Sequence, residues 1–289
     1  MHRRFGAFLA MVGVVAIGAG LYAASIATAR PTSSSYIHSL YLDFGSTEAA
    51  FRTGKTPSSS LATPVGVLVN HHLLASSFIR DTLNHIRPGA VQRVILISPN
   101  HFLAGRAPVQ TASQDFLTPY GVVHVDQALV KKFLAGSVVH VQNSSFIQEH
   151  GVYNILPYLA RQLPWATVTP IIIKDGTSAE TLAALRRTLD AELRPGTLVI
   201  GSFDFSHYQT SAVADAQDAS TLRVIQSIGR DATDPISVDS SEGLRLVLDL
   251  MRDVGAKRFE LVHHSNSGKL TRSPADAQTT SYLTGLFWR

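Results

Sequence analysis

The chain has 289 residues, of which 45% are hydrophobic and 16% are charged. That length and apolar fraction are enough for a substantial buried core, and they exclude an intrinsically disordered chain. The net charge of +4 comes from scattered basic pairs such as Lys131-Lys132, which argues against a nucleic-acid surface, and the absence of cysteine excludes disulfides, thiolate catalysis and zinc–thiolate sites.

The first 30 residues are predicted to be an export signal or a membrane anchor rather than part of the fold. Two arginines, Arg3 and Arg4, precede an uncharged apolar run from Phe5 to Ile26. The length of this run favours an uncleaved anchor, because a membrane-spanning helix needs about 20 residues. In contrast, Ala27-Thr28-Ala29 has the small-x-small form of a cleavage site. Since the positive end stays cytoplasmic, we expect the rest of the chain to be membrane-anchored on the extracytoplasmic side, or secreted if cleavage follows Ala29.

Residues 31–62 are predicted to form a Ser/Pro-rich linker, and residues 63–289 a globular domain. Within the domain, short apolar runs alternate with segments of helical spacing. The predicted strands cover residues 65–70, 91–98, 167–175, 197–204, 259–266 and 281–288. The predicted helices cover residues 73–86, 125–136, 149–163 with a boundary at Pro157, 178–193, and stretches near 212–229 and 239–254. Because each strand is almost continuously apolar, we predict one α/β domain with a mostly parallel central sheet covered by helices on both faces.

Histidines follow four of the predicted strands: His71 and His72, His101, His207, and His263 with His264. Ligands of parallel sheets bind outside the carboxyl ends of the strands, so we expect these imidazoles to meet at one edge. Imidazole and carboxylate without thiol suit Fe, Zn, Mn, Cu or Ni. A further histidine that does not bind the metal can act as a general base, since its pKa lies near neutrality.

Other polar residues near the strand ends allow more than one interpretation. Asp204 lies three residues before His207 and could orient that ring or bind metal, or Asp204 and Ser206 could cap the helix that follows. Glu149 begins a predicted helix, where the helix dipole alone favours a carboxylate. His150 follows at a position that disfavours a cation, so we predict a neutral His150 facing the cleft.

Six motifs, in order "ISPNH", "FLTPYGVVHVD", "EHGVYNILPYL", "VTPIIIKD", "GSFDFSHY" and "SNSG", resemble the Memo-like family over about residues 64–288. This family is also called protein B of the AmmeMemoRadiSam system. It resembles the LigB-type class III extradiol dioxygenases, which hold non-haem Fe(II) with two histidines and a carboxylate. The resemblance implies that His71 and His101 are metal ligands and that His207 is the acid–base residue. It also implies that Asp204 and His150 line the same cleft as candidate catalytic residues.

The chain departs from the family pattern at each expected ligand. The first ligand usually stands in Pro-His-Ala-Gly and the second in Ser-His-His, where this chain has Asn70-His71-His72-Leu73 and Asn100-His101-Phe102. An ungapped match places Leu270 at the third ligand, which is cysteine in the animal protein and glutamate in the dioxygenases. Leucine cannot bind metal, so His263, His264 or Asp204 would have to substitute, and we predict His264.

We therefore predict a metal-dependent, dioxygenase-like oxidoreductase with a His-rich cleft. The expected cofactor is a divalent metal, Fe(II) first, with Cu or Zn as alternatives. The expected partners are a small-molecule ligand in the cleft and a membrane through the N-terminal segment, and no nucleic acid. Two alternatives remain open. The substitution at Leu270 and the altered first motif favour a non-catalytic ligand- or partner-binding protein with a degenerate cleft. The same ligands also permit a metal-assisted hydrolase, although no second carboxylate cluster for a two-metal site is visible.

Overall fold

The computed structural model describes residues 36–39, 44–52, 63–230, 233–275 and 277–289. The predicted signal or anchor, residues 1–30, lies outside the described residues. Among those residues, no helix is both long enough and apolar enough to cross a membrane.

The strands are β1 (Tyr36–His38), β2 (Gly66–Val69), β3 (Arg93–Pro99), β4 (Val109–Thr111), β5 (Asp115–Thr118), β6 (Gly121–Val123), β7 (His140–Val141), β8 (Thr167–Ile173), β9 (Thr197–Ser202), β10 (His207–Gln209), β11 (Arg258–Asn266) and β12 (Thr279–Trp288). The helices are α1 (Phe44–Arg52), α2 (Ser76–Leu83), α3 (Gln127–Ala135), α4 (His150–Tyr153), α5 (Leu156–Gln162), α6 (Ala179–Asp190), α7 (Ser211–Gln226), α8 (Ser241–Asp253) and α9 (Ser267–Leu270), with two short 3₁₀ turns at Leu73–Ala75 and Asn143–Phe146.

The large sheet has the strand order β10-β12-β2-β9-β3-β8-β4-β7, and β11 pairs with β12. The four central strands β2, β9, β3 and β8 are mutually parallel. Antiparallel pairs flank them, with β12 on β2 and β4 on β8. A separate small sheet contains β1, β5 and β6. The predicted α/β class is confirmed, and the parallel part is the centre of the sheet.

Both faces of the central strands are buried, which explains their continuous apolar sequences. On β2, Val67 and Val69 pack into one apolar core, whereas Leu68 between them packs into a second core. The same alternation places Leu96 in the first core and Ile97 in the second. Helices α2 and α5 contribute to the first core, and α6, α7 and α8 contribute to the second, so helices cover both faces as predicted.

Part of the predicted linker, residues 31–62, belongs to the fold. Strand β1 pairs in parallel with β5, and its Ile37 is buried in the first core. Ala50 of α1 is buried in the same core, and its carbonyl accepts a hydrogen bond from Arg80 of α2. The linker prediction was wrong for these segments. Strand β1 and helix α1 are short, so their few apolar residues form no clear pattern beside the serine runs.

Helix ends follow local sequence signals. Ser178 accepts a hydrogen bond from the Thr181 amide and so caps α6, as its sequence indicates. The predicted helix over 149–163 is divided into α4 and α5 ahead of Pro157, which stands in the first turn of α5. Proline is well tolerated there because it has no amide hydrogen to donate.

A buried ion cluster lies at the amino ends of the central parallel strands, opposite the histidine-bearing loops. The carboxylate of Glu192, 2% exposed, accepts hydrogen bonds from Arg93, Lys132 and Arg194. Burial would raise the pKa of Glu192, but the hydrogen bonds and charges of these three cations outweigh it and lower the pKa to about 2. The same Arg93 also bonds Asp126, the N-cap residue of α3, with an Nε–Oδ2 distance of 2.6 Å.

Candidate metal centre

Three adjacent strands bring the candidate residues together. His71 follows β2, His101 follows β3 and Asp204 follows β9, and in the sheet β9 pairs in parallel with both β2 and β3. Their carboxyl ends therefore meet at one edge. His150 opens helix α4, which packs at the same edge: its Gly151 carbonyl accepts a hydrogen bond from Ser202 at the end of β9.

His71 is buried and oriented through its Nδ1 atom. The Ser202 hydroxyl donates to the Gly151 carbonyl at 2.6 Å, so its oxygen accepts from His71 Nδ1 at 3.2 Å. This assignment leaves a lone pair on His71 Nε2, which lies 3.4 Å from Asp204 Oδ2 and 3.3 Å from Asp239 Oδ2. Burial first, and then the neighbouring imidazoles, hold the pKa of His71 well below its usual value, so the ring is neutral.

His101 is oriented in the same way by Glu149. Its Nδ1 donates to Glu149 Oε1 at 2.6 Å, and its backbone amide donates to Oε2 at 2.9 Å. The fully buried Glu149 also accepts from the Gly151 amide at 3.0 Å and so caps α4. His101 Nε2 then faces Asp239 Oδ2 at 3.6 Å. Burial would lower the pKa of His101, but hydrogen bonds and charges from Asp239 and Glu149 outweigh it and raise the pKa to about 10.

His150 lies against both of these rings. Its ring stacks on His101 at 4.0 Å between centroids and meets His71 edge-on at 5.2 Å. One nitrogen each from His71, His101 and His150 lies within 4.8 Å of the other two. Burial first, and then the charge of His101, lower the pKa of His150 to about 4. His150 is therefore neutral near pH 7, as its sequence position predicts.

Asp239 is the residue that the sequence did not reveal. It lies in the loop before α8, and its side chain is only 9% exposed. Its Oδ2 accepts a hydrogen bond from the Asp204 amide at 2.9 Å, whereas its Oδ1 is buried without a hydrogen-bond partner in the described part of the chain. "SVDSS" reads as an ordinary loop and helix cap, so no local signal marks Asp239 as a site residue. Leu270, the ungapped match to the third ligand, is 40% exposed on α9.

Asp204 and His207 lie in the same cleft. Asp204 Oδ1 accepts from the His71 and His72 amides at 3.1 and 3.4 Å, which ties β9 to the loop after β2. Burial and then the charge of Asp239 raise the pKa of Asp204. The interpretation of Asp204 and Ser206 as a helix cap is wrong, because His207–Gln209 form β10 and α7 begins only at Ser211. Burial lowers the pKa of His207, against the opposing charge of Asp239.

His264 does not join this group. Its Nε2 bonds Asp218 Oδ2 at 2.9 Å, and it forms a separate cluster with Asp215 and Asp218 of α7. The prediction that His264 completes the ligand set of His71 and His101 is therefore corrected. The reason is that β11 pairs with β12, outside the central parallel strands, so His264 lies beside α7 rather than beside the ends of β2 and β3.

The donor atoms fit a divalent metal ion. Two ligands bound to one ion at about 2.1 Å lie roughly 3.0–3.4 Å apart, close to the Nε2–Oδ2 separations of 3.3 and 3.6 Å. Both ring Nδ1 atoms have acceptors, so each ring turns its Nε2 toward Asp239, and a metal ion would displace the proton that the raised pKa places on His101 Nε2. The unpartnered Oδ1 of Asp239 also fits a bound cation, as do two neighbouring carboxylates whose pKa values are raised mainly by burial.

Comparisons with known proteins identify several sequence relatives of this chain. A MEMO1 family protein of Methanosarcina barkeri is 27% identical over 186 residues, which are 61% of this chain and 69% of the relative. A relative from Thermotoga sp. strain RQ2 is 30% identical over 50% of this chain and 53% of its own length. A relative from Thermotoga maritima is 28% identical over 61% of this chain and 66% of its own length. The chain thus spans between about half and two thirds of these relatives.

A crystal structure of an uncharacterized protein from Escherichia coli K12 aligns with 77% of this chain over 99% of its own chain. The TM-score is 0.47 and the sequence identity is 11%, and so weak a likeness supports no conclusion. The family model described as "Memo-like protein" matches residues 56–286, which include every residue of the candidate metal centre. On this match the chain belongs to the Memo-like protein family.

Proposed function

We propose that this protein is a mononuclear, non-haem iron oxidoreductase of dioxygenase-like ancestry, with His71, His101 and Asp239 as the metal ligands. One observation carries the proposal: the Nε2 atoms of His71 and His101 both face Asp239 Oδ2, at 3.3 and 3.6 Å. Two histidines and one carboxylate, with positions left open, form the facial arrangement of non-haem Fe(II) oxygenases. Cu and Zn are alternative metals for the same donors.

When bound, the metal supplies a Lewis-acidic centre with open positions for a ligand and for O₂. The protein orients its two rings for a metal. Ser202 and Glu149 accept hydrogen bonds from Nδ1 of His71 and His101, so both rings turn Nε2 toward the metal position. Asp204 holds the backbone of His71 in place through its amide.

His207 is the proposed acid–base residue. A hydrogen bond with the Phe205 backbone occupies one ring nitrogen, and the other exchanges a proton with a ligand in the cleft. Burial lowers the pKa of His207, which leaves it neutral and ready to accept a proton near pH 7. The charge of Asp239, in the same cleft, stabilises the imidazolium that would form.

The alternative of a non-catalytic binding protein rested on Leu270, which left the site without a third ligand, and on the altered first motif. Asp239 answers the first reason, because its carboxylate lies beside both histidines, and the second reason still stands. The hydrolase alternative uses the same donors and would consume no O₂.

Metal analysis and O₂ uptake test the proposal. We would purify the full chain anaerobically, incubate it with Fe(II), and measure bound metal in the wild type and in a His71→Ala/His101→Ala variant. About one iron per chain in the wild type, lost in the variant, together with O₂ uptake in the presence of catechols or other reductants, is the expected result. Unchanged metal content in the variant would refute the assigned ligands, and bound metal without O₂ uptake would favour the binding or hydrolase alternative.

We further propose that residues 1–30 direct the domain across the membrane. The apolar run behind Arg3 and Arg4 supports this proposal. Protease protection of the full chain in intact cells, compared with a chain lacking residues 1–30, tests it. A full chain that stays protected together with cytoplasmic markers would contradict export.

A further inference from the structure

The His150 ring is held by other rings and not by hydrogen bonds. It stacks on His101 with an interplanar angle of 28°, meets His71 edge-on at 76°, and meets Phe102 edge-on at 5.8 Å between centroids. Neither ring nitrogen has a hydrogen-bond partner among the described residues. Both nitrogens are therefore available to a ligand that enters the cleft.

The same ring is placed to share a metal ion with its neighbours. One His150 nitrogen lies within 4.8 Å of a nitrogen from His71 and of one from His101. Both of those rings use their Nδ1 atoms for Ser202 and Glu149, so their remaining nitrogens point toward the metal position.

We propose that His150 is a fourth protein ligand, which joins His71, His101 and Asp239 in a set of three imidazoles and one carboxylate. This inference rests on the proposed function, because it concerns the same metal position. A third imidazole makes the site richer in nitrogen, and such a site suits Cu as well as Fe. It also removes one open position, so a ligand in the cleft has fewer sites on the metal to occupy.

Copper provides a direct count of the nitrogen ligands. We would load the full chain with Cu(II) and record electron-paramagnetic-resonance and electron spin-echo spectra, which report the number of coordinated imidazoles. The wild type is expected to show three imidazole nitrogens and a His150→Ala variant two. The matched control is His124→Ala, because His124 is an exposed histidine that pairs with Asp115 and should leave the count at three.

Affinity provides the second measurement. Loss of a ligand should weaken Fe(II) binding by at least about 100-fold, since even removal of a group that orients a ligand costs 10–100-fold. Two nitrogens in the wild type, or an Fe(II) dissociation constant within about threefold of the wild type in His150→Ala, would overturn the inference and leave the proposed function intact. A wild-type chain that binds neither metal would refute both. If His150→Ala fails to fold, the nitrogen count of the wild type alone decides the question.

Discussion

Glu149 offers a sharp test of how the centre is built, because one buried carboxylate orients a ligand and caps a helix. In Glu149→Gln the side chain keeps its shape, but one oxygen becomes an NH₂ group. Oε1 accepts from both His101 Nδ1 and the Gly151 amide, and Oε2 accepts from the His101 amide. If the glutamine oxygen keeps the first two contacts, its NH₂ faces the His101 amide donor. If it turns round, the NH₂ faces Nδ1 and shifts the ring hydrogen to Nε2.

Either orientation weakens the site, because no water can reach the fully buried side chain. A hydrogen bond to a charged group contributes about 1.5–3 kcal/mol, and that is the expected loss of unfolding free energy in the metal-free protein. The Fe(II) dissociation constant should rise about 10–100-fold, which is the usual effect of removing a group that orients a ligand. A hydrogen on His101 Nε2 would block its lone pair, and this accounts for the upper end of that range.

The assay is competition with an Fe(II) chelator of known affinity, under anaerobic conditions, with urea unfolding of the metal-free protein in parallel. Glu180→Gln is the matched control, because Glu180 is an exposed carboxylate in the first turn of α6 that contacts no site residue. Fe(II) affinity within about twofold of the wild type in Glu149→Gln would refute the claim that Glu149 sets the tautomer of a metal ligand.

Two further predictions concern packing and charge. In Gly151→Ala the new Cβ would clash with Ser98 Oγ and lie 3.2 Å from His101 Cε1, so Fe(II) binding should weaken at least about tenfold in the same competition assay. Gly136→Ala, whose Cβ would make only ordinary contacts at 3.6 Å or more, should leave binding unchanged, and equal affinities of the two variants would contradict the prediction. Glu192→Gln should lower the unfolding free energy by about 3 kcal/mol at pH 7, because three cations lose a buried anion. Since folding lowers the pKa of Glu192 from 4.5 to about 2, its stabilisation is complete above pH 4.5 and is lost as the pH falls toward 2. Urea unfolding of both proteins between pH 2 and 7 should therefore show the difference shrinking with acidity, and a constant difference would contradict the mechanism.

The sequence could predict those features that depend on local pattern. Continuous apolar runs marked the central strands, and the histidines that directly follow two of them, His71 and His101, lie at one edge because parallel strands end together. His150 is also placed there, since its helix follows the capping carboxylate Glu149. These inferences needed only the strand direction and the residues at the strand ends.

The features that the sequence did not predict depend on long-range pairing. Asp239 stands in a loop before α8 and reaches the site through mutual backbone and side-chain hydrogen bonds with Asp204, a contact that no local pattern encodes. His264 was assigned to the site because it was counted with the histidines at the strand ends, but its strand β11 pairs with β12 and does not neighbour β2 or β3. The ungapped match to Leu270 did not point to the proposed third ligand, Asp239, because that carboxylate comes from an earlier loop.

The most direct test of the central claim is the iron content of three proteins, purified anaerobically and incubated with Fe(II): the wild type, Asp239→Ala and Leu270→Ala. If His71, His101 and Asp239 hold the metal, the wild type and Leu270→Ala should each bind about one iron per chain, and Asp239→Ala should lose most of it. An iron-free wild type, or a full iron content in Asp239→Ala, would contradict the account.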